Sequence, residues 1–244
     1  MTNSNTSVNT IAPLTNVARF TELVDGLVNR PPALPGFGVY YGKSGLGKTF
    51  SALYAINSFR AHYVECDSTW TQKAFCAHVM LEIGLLPPGT PLCQPIWVAT
   101  AAIGAYFADN PKRPLIIDEA DILVKRRMIE VVRAIYKHCA DAGASIVLIG
   151  EENMPHALKM WERVDSRVLK STRAEPLTQE DILILTGMIC PGIEIDAALL
   201  IRLRQTTGGS ARRVVGKLYG LKEFCGQRGL TSATLDAWNP AEAA

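Results

Sequence analysis

Gly42-Lys43-Ser44-Gly45-Leu46-Gly47-Lys48-Thr49 fulfils the pattern G-x-x-x-x-G-K-[ST]. In that pattern a glycine-rich loop aims successive backbone N–H groups at phosphates. The apolar segment Gly38-Val39-Tyr40-Tyr41 leads into it, and the helical pattern Phe50-Ser51-Ala52-Leu53-Tyr54-Ala55-Ile56 follows. The loop therefore stands between a strand and the N-terminus of a helix, where anions are favoured. Lys48 is expected to reach the β- and γ-phosphates and the Thr49 hydroxyl to ligate Mg²⁺. These residues imply nucleotide binding.

Outward from the loop, His62-Tyr63-Val64-Glu65-Cys66-Asp67 reads as a second strand, and Pro114-Leu115-Ile116-Ile117-Asp118-Glu119 as a buried one. Ser145-Ile146-Val147-Leu148-Ile149 reads as another buried strand. Helical spacing predicts helices over Val17 to Val28, Gln72 to Ile83, Ile96 to Ala108 and Met128 to Cys139. Strands alternating with helices imply an α/β fold, a parallel sheet covered on both faces. After Pro176 and Leu177 strands are expected to stop. Three helices, roughly Gln179 to Ile189, Asp196 to Gln205 and Ala211 to Cys225, then predict a small helical lid. The expected organisation is a disordered tail over 1–14, an α/β nucleotide-binding core over 15–177, the lid over 178–230 and a tail over 231–244.

The net charge of +2 neither favours nor excludes nucleic acid as a partner, so any basic footprint must be local. No apolar run reaches the length of a membrane span, and the N-terminus lacks a basic-then-apolar signal. A cytoplasmic protein without a membrane partner is expected. Cys66, Cys76, Cys93, Cys139, Cys190 and Cys225 show no C-x-x-C spacing and read as reduced, mostly core residues.

Asp118-Glu119-Ala120-Asp121 ends its apolar strand in acids. Asp118 suits Mg²⁺ held through water, and Glu119 suits the orientation of a water against the γ-phosphate. Asp121 is the fallback base. With both motifs in place, residues 15 to 230 resemble the AAA+ ATPases, which implies a P-loop NTPase core, ATP and Mg²⁺ as cofactors, and assembly into oligomers. The resemblance puts a polar sensor within Gly150-Glu151-Glu152-Asn153. Val164-Asp165-Ser166-Arg167 is similar to the Ser-Arg motif of clamp loaders and replication initiators, which implies that Arg167, with Arg163 second, enters a neighbouring subunit's site. Gly208-Gly209-Ser210-Ala211-Arg212-Arg213 resembles the turn opening the sensor-2 helix, which implies that Arg212 senses the γ-phosphate.

Within that superfamily the layout most resembles the phage Mu B family of target-selecting transposition ATPases. The resemblance rests on Asp67-Ser68-Thr69-Trp70-Thr71-Gln72-Lys73, Ile116-Ile117-Asp118-Glu119-Ala120-Asp121 and Val147-Leu148-Ile149-Gly150-Glu151. It implies a ring or helical filament on double-stranded DNA, formed with ATP, that delivers the DNA to a transposase. The Mu family carries an N-terminal helix-turn-helix domain, whereas the loop here begins at Gly42, so DNA contact is expected from the ATPase itself. Trp70 and Lys73 are the expected channel-facing residues. Lys125, Arg126 and Arg127, with Arg133 and Lys137, are expected to form a basic stripe at helical spacing, in which Arg126 pairs with Glu130. The alternative is an assembly or secretion ATPase that acts on a protein without binding DNA.

Overall fold

The structure is a computed structural model that describes residues 12–239. Its elements run, in chain order, α1 (Thr15–Val28), β1 (Phe37–Tyr41), α2 (Lys48–Phe59), β2 (His62–Glu65), α3 (Gln72–Glu82) and α4 (Ile96–Asp109). They continue with β3 (Leu115–Asp118), α5 (Asp121–Lys125), α6 (Glu130–Tyr136), β4 (Ile146–Gly150), α7 (Met154–Leu158), α8 (Glu162–Asp165) and β5 (Val168–Arg173). The last are α9 (Gln179–Ile189), β6 (Glu194–Ile195), α10 (Ala197–Thr207), α11 (Ala211–Arg228) and β7 (Ser232–Ala233). Residues 18–175 form an α/β unit, and the described residues before Ala18 and after Glu175 form a second, helical unit.

In the α/β unit five parallel strands stand in the order β2-β3-β4-β1-β5. Successive side chains of a strand point to opposite faces, so β1, β3 and β4 each feed two separate cores. Tyr40, Ile116, Val147 and Ile149 meet α1 and α2 on one face. Phe37, Val39, Leu115, Ile117, Ile146 and Leu148 meet α3, α4 and α6 on the other. β3 and β4 are buried along their whole length, which is why their sequences are continuous apolar runs.

β5 is an addition to the expected strands. Its sequence, Val168-Leu169-Lys170-Ser171-Thr172-Arg173, is polar and mostly exposed because it is an edge strand held by backbone pairing to β1. Lys170 pairs with Glu22 at 2.8 Å and Arg173 with Glu152.

The expected helix over Met128 to Cys139 is shorter and follows a break. α5 stops at Lys125, Arg127 takes φ +56°, and the amides of Met128 and Ile129 turn back onto the Leu123 carbonyl. α6 starts only at Glu130. The basic residues therefore do not share one helical face, and Glu130 pairs with Arg133 rather than Arg126.

Arg30 ties this unit together in a way the sequence does not announce. It is buried, and its guanidinium donates to the carbonyls of Leu27 (2.7 Å), Leu34 (3.1 Å), Gly143 (3.0 Å) and Ala144 (2.7 Å) and to Ser145 Oγ (2.7 Å). The end of α1, the turn after it and the entry to β4 are thus joined by one side chain. Arg30→Met is expected to strand several of these acceptors, at roughly 1–3 kcal/mol per buried unsatisfied group. A urea melt should therefore show a loss of about 3 kcal/mol or more; a loss below about 1 kcal/mol would mean that water replaces the guanidinium.

In the helical unit Thr178 and Asp181 form a reciprocal capping box at the start of α9. The same carboxylate accepts the Thr15 amide at 2.7 Å and the Thr15 hydroxyl at 3.0 Å. Gly208 and Gly209 both have positive φ, and a Cβ at Gly209 would lie 2.7 Å from the Pro176 Cβ, so only glycine fits that turn. Strands do not stop at Thr178: β6 and β7 pair in parallel, a contact too short to leave a pattern in sequence. Residues 231–239, expected to belong to a tail, carry β7 and the buried Trp238. Residues 1–11 of the expected N-terminal tail lie outside the described residues, while Ala12 and Leu14 are buried.

Candidate nucleotide site

The phosphate loop leaves β1 at Tyr41 and enters α2 at Lys48, beside the carboxyl ends of β3 and β4. That is where open α/β sheets bind ligands. Gly45 (φ +82°) and Gly47 (φ +84°) supply left-handed turns, and Gly47 is the N-cap of α2. The buried Leu46 anchors the loop's middle in the core shared with α1 and α2. The loop's start is tied by the Gly42 amide to the Gly150 carbonyl at 3.3 Å. Its far end is tied by Ser51 Oγ, which donates to the Gly47 carbonyl at 3.1 Å. Lys43 and Ser44 at the tip are exposed. Lys48 Nζ sits over the loop, donating to the carbonyls of Gly42 (2.8 Å) and Lys43 (3.1 Å). Burial lowers the Lys48 pKa, while the carboxylates of Glu119 and Asp118 work against that.

Asp118 is buried at the end of β3 and bonded through both carboxylate oxygens. Its Oδ2 accepts from Thr49 Oγ1 at 2.7 Å and from the Tyr63 hydroxyl at 3.0 Å, and its Oδ1 accepts the Glu119 amide at 2.8 Å. Thr49 and Asp118 thus present adjacent hard oxygen donors beside the loop, a set that suits Mg²⁺ carrying most of its own waters. Glu119 has φ +51°, a sparsely populated conformation for a non-glycine residue. The turn leaves Glu119 exposed as a residue, with its carboxyl still partly shielded beside the loop, while Asp118 and Ala120 stay buried. Burial first, then Asp118 and Asp121, hold its pKa above the usual carboxylate value.

Asp121 is buried, and its Oδ2 holds Lys125 Nζ at 2.7 Å. Lys125 Nζ also reaches Glu151 Oε2 at 2.9 Å, and these two bonds raise its pKa. Its charge is shared between two carboxylates. The exposed Arg126 and Arg127 sit in the turn after it. In the expected sensor segment, Glu151 meets Lys125, Glu152 meets Arg173, and the exposed Asn153 precedes α7.

Trp70 is half-buried against the core and stacked on His78, with ring centroids 3.9 Å apart and 13° between planes. One face of its ring is therefore already occupied. Lys73 is exposed on the first turn of α3, after the N-cap Thr71. Arg126 lies close enough to Asp67 to lower that carboxyl's pKa, behind the larger effect of Asp67's bonds from Thr69.

Arg167 lies just before β5, whose first residue pairs with Phe37 at the start of β1. The phosphate loop lies beyond the other end of β1, roughly 15 Å along the strand at about 3.3 Å per residue. The Arg167 guanidinium donates to the Arg163 carbonyl and, at 3.4 Å, to Ser166 Oγ. Arg163 is exposed. Arg212 is exposed on the first turn of α11, in the helical unit.

Sequence reasoning missed Tyr63. The signal was its place on β2, but the register that brings it to Asp118 exists only in the folded sheet. Among the described residues there is no cluster of three metal-binding acidic, His or Cys side chains. Burial pushes the Cys66, Cys76 and Cys139 thiols up to about 12, and only Cys93 is exposed.

Residues 33–158, just over half of the chain, match the family described as AAA domain. The chain belongs to the AAA domain family. Solved structures similar in fold to this AAA domain protein include the ORC2 protein of Aeropyrum pernix, solved as ADPNP-ADP complexes. It has a TM-score of 0.68 and 14% identity, covering 93% of this chain and 65% of that one. The ORC1 protein of Aeropyrum pernix in complex with DNA gives a TM-score of 0.63 and 20% identity, covering 91% and 62%. Cdc6p from Pyrobaculum aerophilum gives 0.60 and 17%, covering 88% and 62%. The AAA domain chain thus spans a little under two thirds of the length of each of these proteins. No curated protein matches the sequence. Among the described residues no helix is long and apolar enough to cross a membrane.

Proposed function

We propose that this AAA domain protein binds ATP with Mg²⁺ in the loop Gly42–Thr49 and hydrolyses the γ-phosphate. The observation that carries the reading is the Thr49–Asp118 hydrogen bond beside a loop whose carbonyls hold Lys48, with the exposed Glu119 next to Asp118. Thr49 and Asp118 would hold the metal, which when bound supplies charge neutralisation at the phosphates. Lys48 adds a fixed positive charge, the loop amides orient the phosphates, and Glu119 accepts a proton from the attacking water. Phosphate release from ATP, measured with and without Mg²⁺, tests this directly.

The finer reading is a target-DNA ATPase of transposition that oligomerises on double-stranded DNA with ATP and delivers it to a transposase. Its support is the resemblance of the Asp67–Lys73, Ile116–Asp121 and Val147–Glu151 segments, together with the exposed Lys73 on the first turn of α3 and the exposed Arg126 and Arg127 after α5. The fold's likeness to an ORC1 protein solved with DNA is compatible with it. Lys125 contributes least, because Asp121 and Glu151 already share its charge. Trp70 supports the loop through its stack on His78. Lys73→Ala, and separately reversal of Arg126 and Arg127, should weaken duplex binding alike for unrelated sequences. Each lost phosphate contact should flatten the log–log salt slope by about 0.9. If neither variant alters the slope, or the wild type with ATP binds no DNA, the DNA reading fails.

Arg167 would serve a neighbouring subunit, since its place at the opposite end of β1 puts its own phosphate loop out of reach. Arg212 would sense the γ-phosphate, a proposal that rests on the Gly208-Gly209 turn before its helix. Arg167→Ala is expected to lower turnover about tenfold or more while ATP affinity of the monomer holds, as for an arginine supplied in trans. Adding Lys48→Ala subunits, which keep Arg167, should restore part of the activity. Mixed assemblies without rescue would count against a role across the interface.

The second reading is a protein-directed ATPase, for which the exposed Trp97 (73%) and Met160 (84%) are separate apolar contact points. Such a protein should show no steep salt dependence with DNA.

A further inference from the structure

We infer that Tyr63 is a positioning residue for the metal site, holding the Asp118 carboxylate in the orientation that receives Mg²⁺. This rests on the proposed nucleotide–metal reading and adds to it a residue from a strand that carries neither motif. Tyr63 pairs with Ile116 in the parallel register of β2 and β3, and Asp118 lies two residues further on, so both side chains emerge on the same face. A diagonal neighbour at that spacing is within reach of an aromatic side chain. The Tyr63 hydroxyl donates to Asp118 Oδ2 at 3.0 Å.

Three donors consequently surround one carboxylate. Thr49 Oγ1 and the Tyr63 hydroxyl converge on Oδ2, and the Glu119 amide takes Oδ1. The Glu119 bond is local, from the next residue along the chain. The Thr49 bond comes from a group that is itself expected to bind the metal. Tyr63 is the donor that belongs to neither the loop nor the acidic motif. Its ring packs with Ile56 and Phe59 of α2 against the core beneath the loop. A hydroxyl fixed by packing and bonded to a metal-binding carboxylate limits that carboxylate's rotation, as outer-shell partners do in metal sites. With Oδ2 holding its two donors, Oδ1, which accepts the Glu119 amide alone, keeps lone-pair capacity for a metal-bound water, since each carboxylate oxygen accepts two hydrogen bonds.

Tyr63→Phe removes the hydroxyl and keeps the ring. With the full chain, ADP affinity is measured by calorimetry in excess EDTA, and Mn²⁺ binding to the protein–ADP complex by electron paramagnetic resonance. ADP affinity in EDTA should stay within about twofold of wild type, whereas Mn²⁺ affinity should fall about tenfold, the scale for an outer-shell partner. The melting temperature reports whether the ring still packs. Mn²⁺ affinity unchanged in Tyr63→Phe would overturn the assignment and leave the phenol a packing group. An equal loss of ADP affinity in EDTA would also overturn it, because the ring would then be shaping the loop rather than the carboxylate. A wild-type protein that binds no ADP, or binds it without recruiting Mn²⁺, would instead remove the nucleotide–metal reading underneath, before any variant is compared.

Discussion

Replacing Lys48 with alanine is expected to abolish useful nucleotide binding, lowering ATP affinity by about two to three orders of magnitude. The ammonium is the cation the loop places over its own phosphate cradle, tied there by the carbonyls of Gly42 and Lys43. A unit charge about 4 Å from a phosphate charge, at an effective dielectric near 20, is worth up to about 4 kcal/mol, or roughly a thousandfold. The fold should survive. The Lys43 carbonyl is exposed and can turn to water, and the loop stays anchored by buried Leu46 and by Ser51. Equilibrium binding of ATP to the variant, alongside its thermal melt, checks both halves. Tight ATP binding by a well-folded Lys48→Ala protein would show that the phosphates lie elsewhere.

Glu119→Gln should have the opposite profile, with nucleotide and metal retained and turnover gone. A general base contributes about 10² to 10⁴ in rate, and a neutral amide keeps the shape of the side chain without its ability to take a proton. The surrounding contacts predict little else. Glu119's amide, not its side chain, bonds Asp118, so the metal-side carboxylate is undisturbed. Removing a negative charge beside Asp118 and Asp121, which now raise its pKa, is expected to ease their mutual repulsion and hold ATP at least as tightly. Phosphate release is the measurement, and ATP retained after gel filtration is its complement. Turnover at the wild-type rate would move the proton acceptor to another carboxylate, Asp121 foremost. Its Oδ1 is buried without a hydrogen-bond partner among the described residues.

The phosphate loop, the acidic end of β3 and the positions of α2, α3, α4 and α9 are all legible in the sequence. Each depends on contiguous residues obeying local rules: glycine where φ is positive, apolar runs where a strand is buried on both faces, a capping Thr before Gln179. What requires the folded chain is of another kind. β5 is polar because an edge strand needs only backbone partners, and those belong to β1, more than a hundred residues earlier. The basic cluster loses its helical face at Arg127, where packing of Leu123, Met128 and Ile129 into the core forces a turn that helical spacing does not foresee. Lys125 reads as free for phosphate in sequence, but the fold sets Glu151 beside it. Arg30 finds its carbonyl acceptors 114 positions away at Ala144, and Tyr63 finds Asp118 55 positions on. Local backbone chemistry determined which residues would make the loop and the strand ends; sheet register, a relation between distant segments, decided which side chains hold them in place.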